Sequence, residues 1–256
     1  MPLFRKLLRP WIRKRVFPSA WDGILERNFP LYRSLPTNDR SELRQHMLIF
    51  LAEKHFEGCA GQEITDEIRV TIAAQACILL LHRRTDYYPG LYSVLVYPHA
   101  YFAERRERDA SGMVTEGLEE RLGEAWSHGS VVLSWDNVLA EAADFRSGRN
   151  VVFHEFAHQL DYEDGSRANG TVQMPSRSMY ANWALTFDRE FRRLRTEAAQ
   201  GLPTLLDQYG TKDPAEFFAV TTEAFFTQPA ALKEKHSALY EELKLYYQQD
   251  PVQWGI

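Results

Sequence analysis

The segment Val151-Val152-Phe153-His154-Glu155-Phe156-Ala157-His158-Gln159-Leu160-Asp161 sets the tightest condition on any fold this chain adopts. Its apolar residues recur at helical spacing and flank two histidines and a glutamate. On a helix, four residues advance about 400°, so His154 and His158 lie about 40° apart on one face, one turn (about 6 Å) from each other. The Val-Val-Phe before them and Phe156, Ala157 and Leu160 around them demand burial of that helix. Two imidazoles and a carboxylate cannot be buried cheaply without partners. The pattern is H-E-x-x-H, in which two imidazoles at this spacing hold one metal ion. Zinc meets imidazole nitrogen at about 2.0–2.1 Å. Glu155 sits about 100° round from His154, free to accept a proton from water rather than to coordinate. The bland alternative is a helical domain without metal, with two core histidines beside a surface glutamate.

Bulk properties bound the rest. A chain of 256 residues, 45% hydrophobic and 13% aromatic, has material for one large core, with room for an N-terminal extension. A net charge of -5 excludes a broad nucleic-acid-binding surface. Cys59 and Cys77 are too few for a disulfide framework and read as thiols of a soluble, cytoplasmic protein. No apolar run reaches the roughly 18 residues of a membrane span. The first 17 residues, MPLFRKLLRPWIRKRVF, are basic and apolar by turns and lack the continuous apolar stretch of a secretion signal. Residues 1–40 are therefore expected to form a basic N-terminal arm packed on a domain spanning 41–256. A helix lying on a membrane surface is the other reading of this arm, one that Pro10 would interrupt.

Periodicity predicts helices over 41–57, from Thr65 through VTIAAQACILLL, over 150–162, over 181–200, from Asp213-Pro214 to Phe226, and over 230–248, with Pro229 closing the fifth. Leu91 to Tyr97 and Val131-Val132-Leu133 read as strands. Residues 104–124 read as an exposed hairpin or loop, with the Glu104–Arg108 charge cluster in solvent, and 165–178 as a loop. The fold class is α+β, mainly helical with a small sheet.

A catalytic zinc takes three protein ligands and keeps one open position. His46, His55, His82, His99, His128 and His236 are scattered and read as surface or core histidines. Asp161, one turn after His158, could ligate but better suits a hydrogen bond to an imidazole or a neighbouring backbone group. Glu216 and Glu223 are seven residues apart, within about 20° on one face of an otherwise apolar helix. Asp213-Pro214-Ala215-Glu216 also fits a capped helix start, with Glu216 reaching back as a capping box. Spacing alone leaves the two glutamates even.

His154-Glu155-Phe156-Ala157-His158-Gln159-Leu160-Asp161, with Tyr209-Gly210, Glu216-Phe217-Phe218-Ala219, Val70-Thr71-Ile72-Ala73-Ala74-Gln75-Ala76 and Val132-Leu133-Ser134-Trp135, resembles the Mlc titration factor A family of bacterial zinc peptidases. The catalytic part is more distantly similar to the metallopeptidase domain of anthrax lethal factor. The resemblance implies a zincin-like fold and one Zn²⁺ per chain, held by His154, His158 and Glu216. It implies Glu155 as general base, Tyr209 as a group that polarises the carbonyl or stabilises the oxyanion, and Glu223 as a support behind the ligands. Without it, Tyr209 reads as an aromatic packing an interhelical loop. Short-peptide or aminopeptidase substrates are implied, as is binding of a glucose-responsive repressor of the Mlc type. The rival reading is a zinc-containing regulatory protein that sequesters a transcription factor with little turnover. Glu155 weighs against it, since a purely structural metal needs no general base.

Overall fold

The computed structural model describes residues 2–108, 114–121, 123–126, 129–144, 146–164, 168–174 and 176–255; for 2–5, 101–108, 114–121, 123–126 and 164 it describes the backbone alone. In chain order the elements are α1 (Pro2–Ile12), α2 (Ser19–Asn28), α3 (Leu31–Ser34), α4 (Thr37–Glu53), β1 (His55–Gly58), α5 (Asp66–Ile78), β2 (Ser93–Tyr97), β3 (Tyr101–Arg108), β4 (Val114–Arg121), β5 (Gly123–Trp126), β6 (Ser130–Ser134), α6 (Trp135–Ala143), α7 (Val151–Asp161), α8 (Arg177–Ala199), α9 (Pro214–Thr227), α10 (Pro229–Lys235) and α11 (Ser237–Tyr247). Short 3₁₀ turns at Tyr162–Asp164, Gln208–Thr211 and Pro251–Trp254 complete them. The α+β, mainly helical class expected from the sequence is what the chain adopts.

One sheet has the order β1-β2-β6-β5. β1 pairs in parallel with β2, and β2 with β6, while β5 closes the edge antiparallel to β6. β3 and β4 form a separate antiparallel ladder, Tyr101 opposite Arg121 through to Arg108 opposite Val114. The hairpin expected over 104–124 is therefore present as backbone. The Glu104–Arg108 side chains lie outside the described residues.

α5 is the central helix. Thr65 caps it, its hydroxyl accepting from the Ile68 N–H, and Val70 to Ile78 are buried without a break. An apolar surface on every side leaves a helix nowhere to go but the middle. α7 lies beside it, its aromatic residues locked into neighbours on two sides: Phe156 meets Phe50 of α4 at 5.7 Å and Tyr88 at 4.9 Å between ring centroids, and Phe153 meets Phe226 of α9 at 5.4 Å. Such edge-to-face and tilted pairs add to the burial of apolar area.

The structure corrects several expectations: α8 starts at Arg177, inside the loop expected over 165–178, α5 stops at Ile78, and three further differences follow. The helix expected over 41–57 starts at Thr37 and stops at Glu53. Lys54 is extended there because its buried ammonium donates to the Tyr88 and Leu91 carbonyls, and the His55 N–H then donates to Tyr92 O, starting the sheet. The helix expected over 230–248 is two helices, and Pro229 opens the first rather than only closing α9. His236 breaks them, its ring Nδ1 2.8 Å from Glu190 Oε2 on α8. Third, Pro10 does not interrupt the N-terminal helix, since α1 runs through it to Ile12. α1 is fastened to the core by Arg9, whose guanidinium donates to Glu53 at 2.6 Å and to Asp86 at 2.7 Å and lies over the Tyr87 ring.

Candidate metal centre

The site sits where α7 crosses α9. Asn150 sets the start of α7: its side-chain oxygen accepts from Phe153 N–H at 2.8 Å, and its amide donates to Gln75 of α5 at 2.7 Å. The helix is thus capped and tied to the central helix by one residue. α9 starts on Asp213, whose carboxylate accepts from the N–H groups of Ala215 and Glu216 at 3.0 Å each, with Pro214 at the first helical position. Asp213 alone carries this cap, so the Glu216 carboxylate is released from the capping-box role and turns to α7.

There, Glu216 Oε2 lies 3.0 Å from His154 Nε2 and 3.3 Å from His158 Nε2. The two imidazole rings stand 5.0 Å apart, nearly perpendicular at 80°. Among the described residues, His154, His158 and Glu216 form a group that could hold a metal ion, each offering one ligand atom, all within 4.8 Å of one another. Two ligand atoms on one tetrahedral ion at 2.0–2.1 Å lie roughly 3.3 Å apart, close to the separations found here. Two imidazole nitrogens and a carboxylate oxygen form a donor set suited to a divalent ion of borderline softness. The residues fit the group.

Glu223, seven positions along α9, sits behind His154. Its Oε1 is 2.7 Å from His154 Nδ1, and its Oε2 accepts the Asn150 backbone N–H at 2.6 Å. A carboxylate at Nδ1 keeps the proton on that nitrogen and leaves the Nε2 lone pair aimed at the centre. Burial disfavours a charged His154, but the hydrogen bonds to Glu216 and Glu223 outweigh it and hold its pKa well above the usual imidazole range. Burial also acts to raise Glu216, and the bonds to His154 and His158 overcome it, holding its pKa far below the carboxylate range. Both shifts come from the same close imidazole–carboxylate contacts.

Glu155 is buried on α7 beside these groups. Asp161 is also buried, and its Oδ2 accepts the Gly170 N–H at 2.7 Å. A bond to a neighbouring backbone group is one of the contacts expected for Asp161. Gly170 is pinned further: its carbonyl accepts from the Trp183 indole at 3.1 Å, its φ is +74°, and a Cβ there would lie 2.4 Å from the Pro214 carbonyl. Only glycine lets this loop press against the start of α9.

Tyr209 lies in the 3₁₀ turn just before α9, partly exposed, its ring 6.0 Å from that of His154. Its hydroxyl accepts from Lys212 Nζ at 3.1 Å, and the same ammonium donates to Glu216 Oε1 at 2.9 Å. Burial and the Glu216 charge raise the Tyr209 pKa, so the phenol keeps its proton. Burial acts to lower Lys212, but its bonds to Glu216 and Tyr209 raise it overall. Sequence reasoning passed over Lys212; its one local signal is the i,i+4 spacing to Glu216. Asn150, Gln75 and Gly170 were likewise not singled out. The other histidines bond elsewhere: His46 to Tyr87, His82 near Asp39 and Glu42, His99 to Asp136 and His236 to Glu190. His55 is exposed on β1, and His128 lies outside the described residues.

Comparison with known proteins gives concordant results. Residues 4–248 match the family described as glucose-regulated metallo-peptidase M90. Among similar proteins, the uncharacterized protein slr2042 of Synechocystis sp. is 39% identical over 248 residues, covering 94% of this chain and 90% of that protein. Mlc titration factor A of Enterobacter sp. is 30% identical over 249 residues, 95% of this chain and 92% of its own. Mlc titration factor A of Klebsiella pneumoniae (strain 342) is 31% identical over 235 residues, 91% and 87% respectively.

Proposed function

Because the chain belongs to the glucose-regulated metallo-peptidase M90 family, we propose that it is a zinc-dependent peptidase that hydrolyses short peptides, including from the amino end, and that it also binds a transcriptional repressor of the Mlc type. The observation that carries the enzymatic reading is the convergence of His154 Nε2, His158 Nε2 and Glu216 Oε2 from two helices. In this reading those three residues hold one Zn²⁺, and Glu223 fixes His154. When bound, zinc supplies Lewis acidity, making a nearby water more acidic and polarising the scissile carbonyl. The Glu155 carboxylate takes the proton from the attacking water and later delivers it to the leaving amine. The Tyr209 hydroxyl donates a hydrogen bond where negative charge develops on the carbonyl oxygen. Lys212, bonded to both Tyr209 and Glu216, keeps that phenol oriented. The repressor-binding part rests on the name carried by the relatives, Mlc titration factor A. Free thiols at Cys59 and Cys77 support a cytoplasmic location for both roles.

Zinc content and turnover of a fluorogenic short-peptide series, measured on the same samples of wild type, Glu155→Gln, Glu216→Gln and Glu223→Gln, test this. The expected result is one zinc per chain in wild type, retained in Glu155→Gln with turnover reduced by roughly 10²–10⁴ and lost mainly in Glu216→Gln. Loss mainly in Glu223→Gln would reassign the third ligand. Zinc without turnover in wild type would leave only the repressor-binding role. That role is then judged by whether Glu155→Gln still binds purified repressor.

A further inference from the structure

We propose that α1 is an interfacial anchor that seats the protein on an anionic phospholipid surface, lying in the plane of the headgroups. Three observations carry it.

The helix presents an apolar face to solvent. Leu7 is 69% exposed, Leu8 42% and Trp11 75%, and Val16 just beyond the helix is 89% exposed. Leu7 and Trp11 are four residues apart and share a face, with Leu8 beside them. Ile12 and the Arg9 guanidinium face inward, Arg9 being fixed by Glu53 and Asp86. The exposed face is thus held outward by an ionic clamp on the opposite side. Scattered single apolar residues on a surface are ordinary; a contiguous set on one helical face, with a tryptophan in it, is what an interfacial helix presents to the acyl boundary.

The segment that carries that face is one-sided in its own charge. The first 17 residues hold six of the chain's 30 Lys and Arg and none of its 35 Asp and Glu. Protein as a whole is acidic, at net charge -5, so the basic charge is concentrated where the apolar face is. Lys14 and Arg15 are exposed and extend the basic rim past the end of the helix. An anionic surface attracts such a rim, and general repulsion from the acidic remainder orients α1 towards it.

Beside the apolar face lies a concavity of about 520 Å³ lined by Lys6, Arg9, Pro10, Arg13, Lys14 and Gln45. Lys6, Arg9 and Pro10 fall on successive turns along one side of α1, and Arg13 and Lys14 follow directly after its end. Lys6 and Arg9 are paired there with Asp86 and Glu53, so a headgroup phosphate meets Arg13 and Lys14 while Leu7 and Trp11 enter the acyl boundary. Among the described residues no helix is long and apolar enough to cross a membrane, so the contact is peripheral. Helix continuity through Pro10 keeps the face in one piece.

The test is sedimentation of the full chain with vesicles of phosphatidylcholine alone and of phosphatidylcholine mixed with phosphatidylglycerol, at low and high salt. Binding to the mixed vesicles, weakened by salt and near absent on the neutral ones, is expected. Leu7→Ser with Trp11→Ser, both on the exposed face, should weaken it about tenfold or more. Lys14→Glu with Arg15→Glu should do so by a similar factor. Circular dichroism and thermal melting confirm that the variants remain folded. No binding to mixed vesicles overturns the proposal, and so does binding that both double variants retain. Concentration-dependent dimerisation, lost in Leu7→Ser with Trp11→Ser and unaccompanied by vesicle binding, assigns the face to a second copy of the chain and also overturns it.

Discussion

At the scale of single residues, the centre divides into groups that hold charge and groups that aim it. Glu223 aims. Replacing it by Gln removes the charge behind His154 while keeping the shape, and metal affinity should fall roughly 10–100-fold, read by competition with a chromophoric chelator. Tyr209→Phe deletes only a hydroxyl whose visible partner is Lys212. Its expected effect is a drop of about 10² or more in kcat with zinc content unchanged; an unchanged kcat would reduce Tyr209 to a packing residue. The legibility of these residues in sequence differs for physical reasons. His154 and His158 were legible because one helix turn brings them together, and a turn is a local property. Glu216 was not separable from Glu223 by spacing, because both lie on the same stripe of α9. What separates them is a long-range fact, that Asp213 completes the helix cap by itself and that Glu223 is engaged by both His154 and the Asn150 N–H. Lys212 belongs to no motif, and its importance comes only from the turn that folds Tyr209 back over it.

At the scale of elements, the long helices and the strands β2 and β6 followed from periodicity, the short elements α2, α3, α6 and β1 were not expected, and some boundaries moved where a tertiary bond overrode the pattern. The break between α10 and α11 is such a place. Its cause, the His236–Glu190 contact, is buried on both sides. Glu190→Ala leaves His236 without that partner and should cost about 1–3 kcal/mol, seen as a lower urea midpoint. The same pair sets a pH dependence. The His236 hydrogen bond holds the Glu190 pKa below its ordinary 4.5, outweighing burial. A lowered folded-state pKa means that the unfolded chain binds the proton first, so this stabilisation is full above the unfolded value and is lost as pH falls through the folded one. The stability gap between wild type and Glu190→Gln should therefore narrow in acid, below about pH 4; a gap that widens there refutes the assignment. A second element-scale prediction concerns the loop between α7 and α8. Gly170→Ala places a methyl group against the Pro214 carbonyl and an L side chain at positive φ. It should destabilise the fold by roughly 1–3 kcal/mol and shift the start of α9, and with it Glu216, lowering metal affinity in the same preparation.

At the scale of the whole molecule, the candidate centre joins two helices, with His158 and Glu216 lying 58 residues apart in the chain. An ion bound across α7 and α9 stabilises the folded state by mass action, about 4 kcal/mol when free metal is a thousandfold above its dissociation constant. Stripping it with a chelator should lower the Tm by roughly 5–15 °C in a chain of this size, and restoring zinc should recover it. That distance along the chain has a further consequence, in time rather than in space. Synthesis proceeds from the amino end, and domains generally fold as they emerge. When α7 leaves the ribosome it carries both histidines and Glu155, but neither Glu216 to complete the grip nor Phe226 to cover Phe153. Until α9 follows and docks, the half-made protein has no closed metal centre. On the proposed peptidase reading, activity arises only after α9 has docked, so a nascent chain would not hydrolyse peptides while its own remainder is still being made.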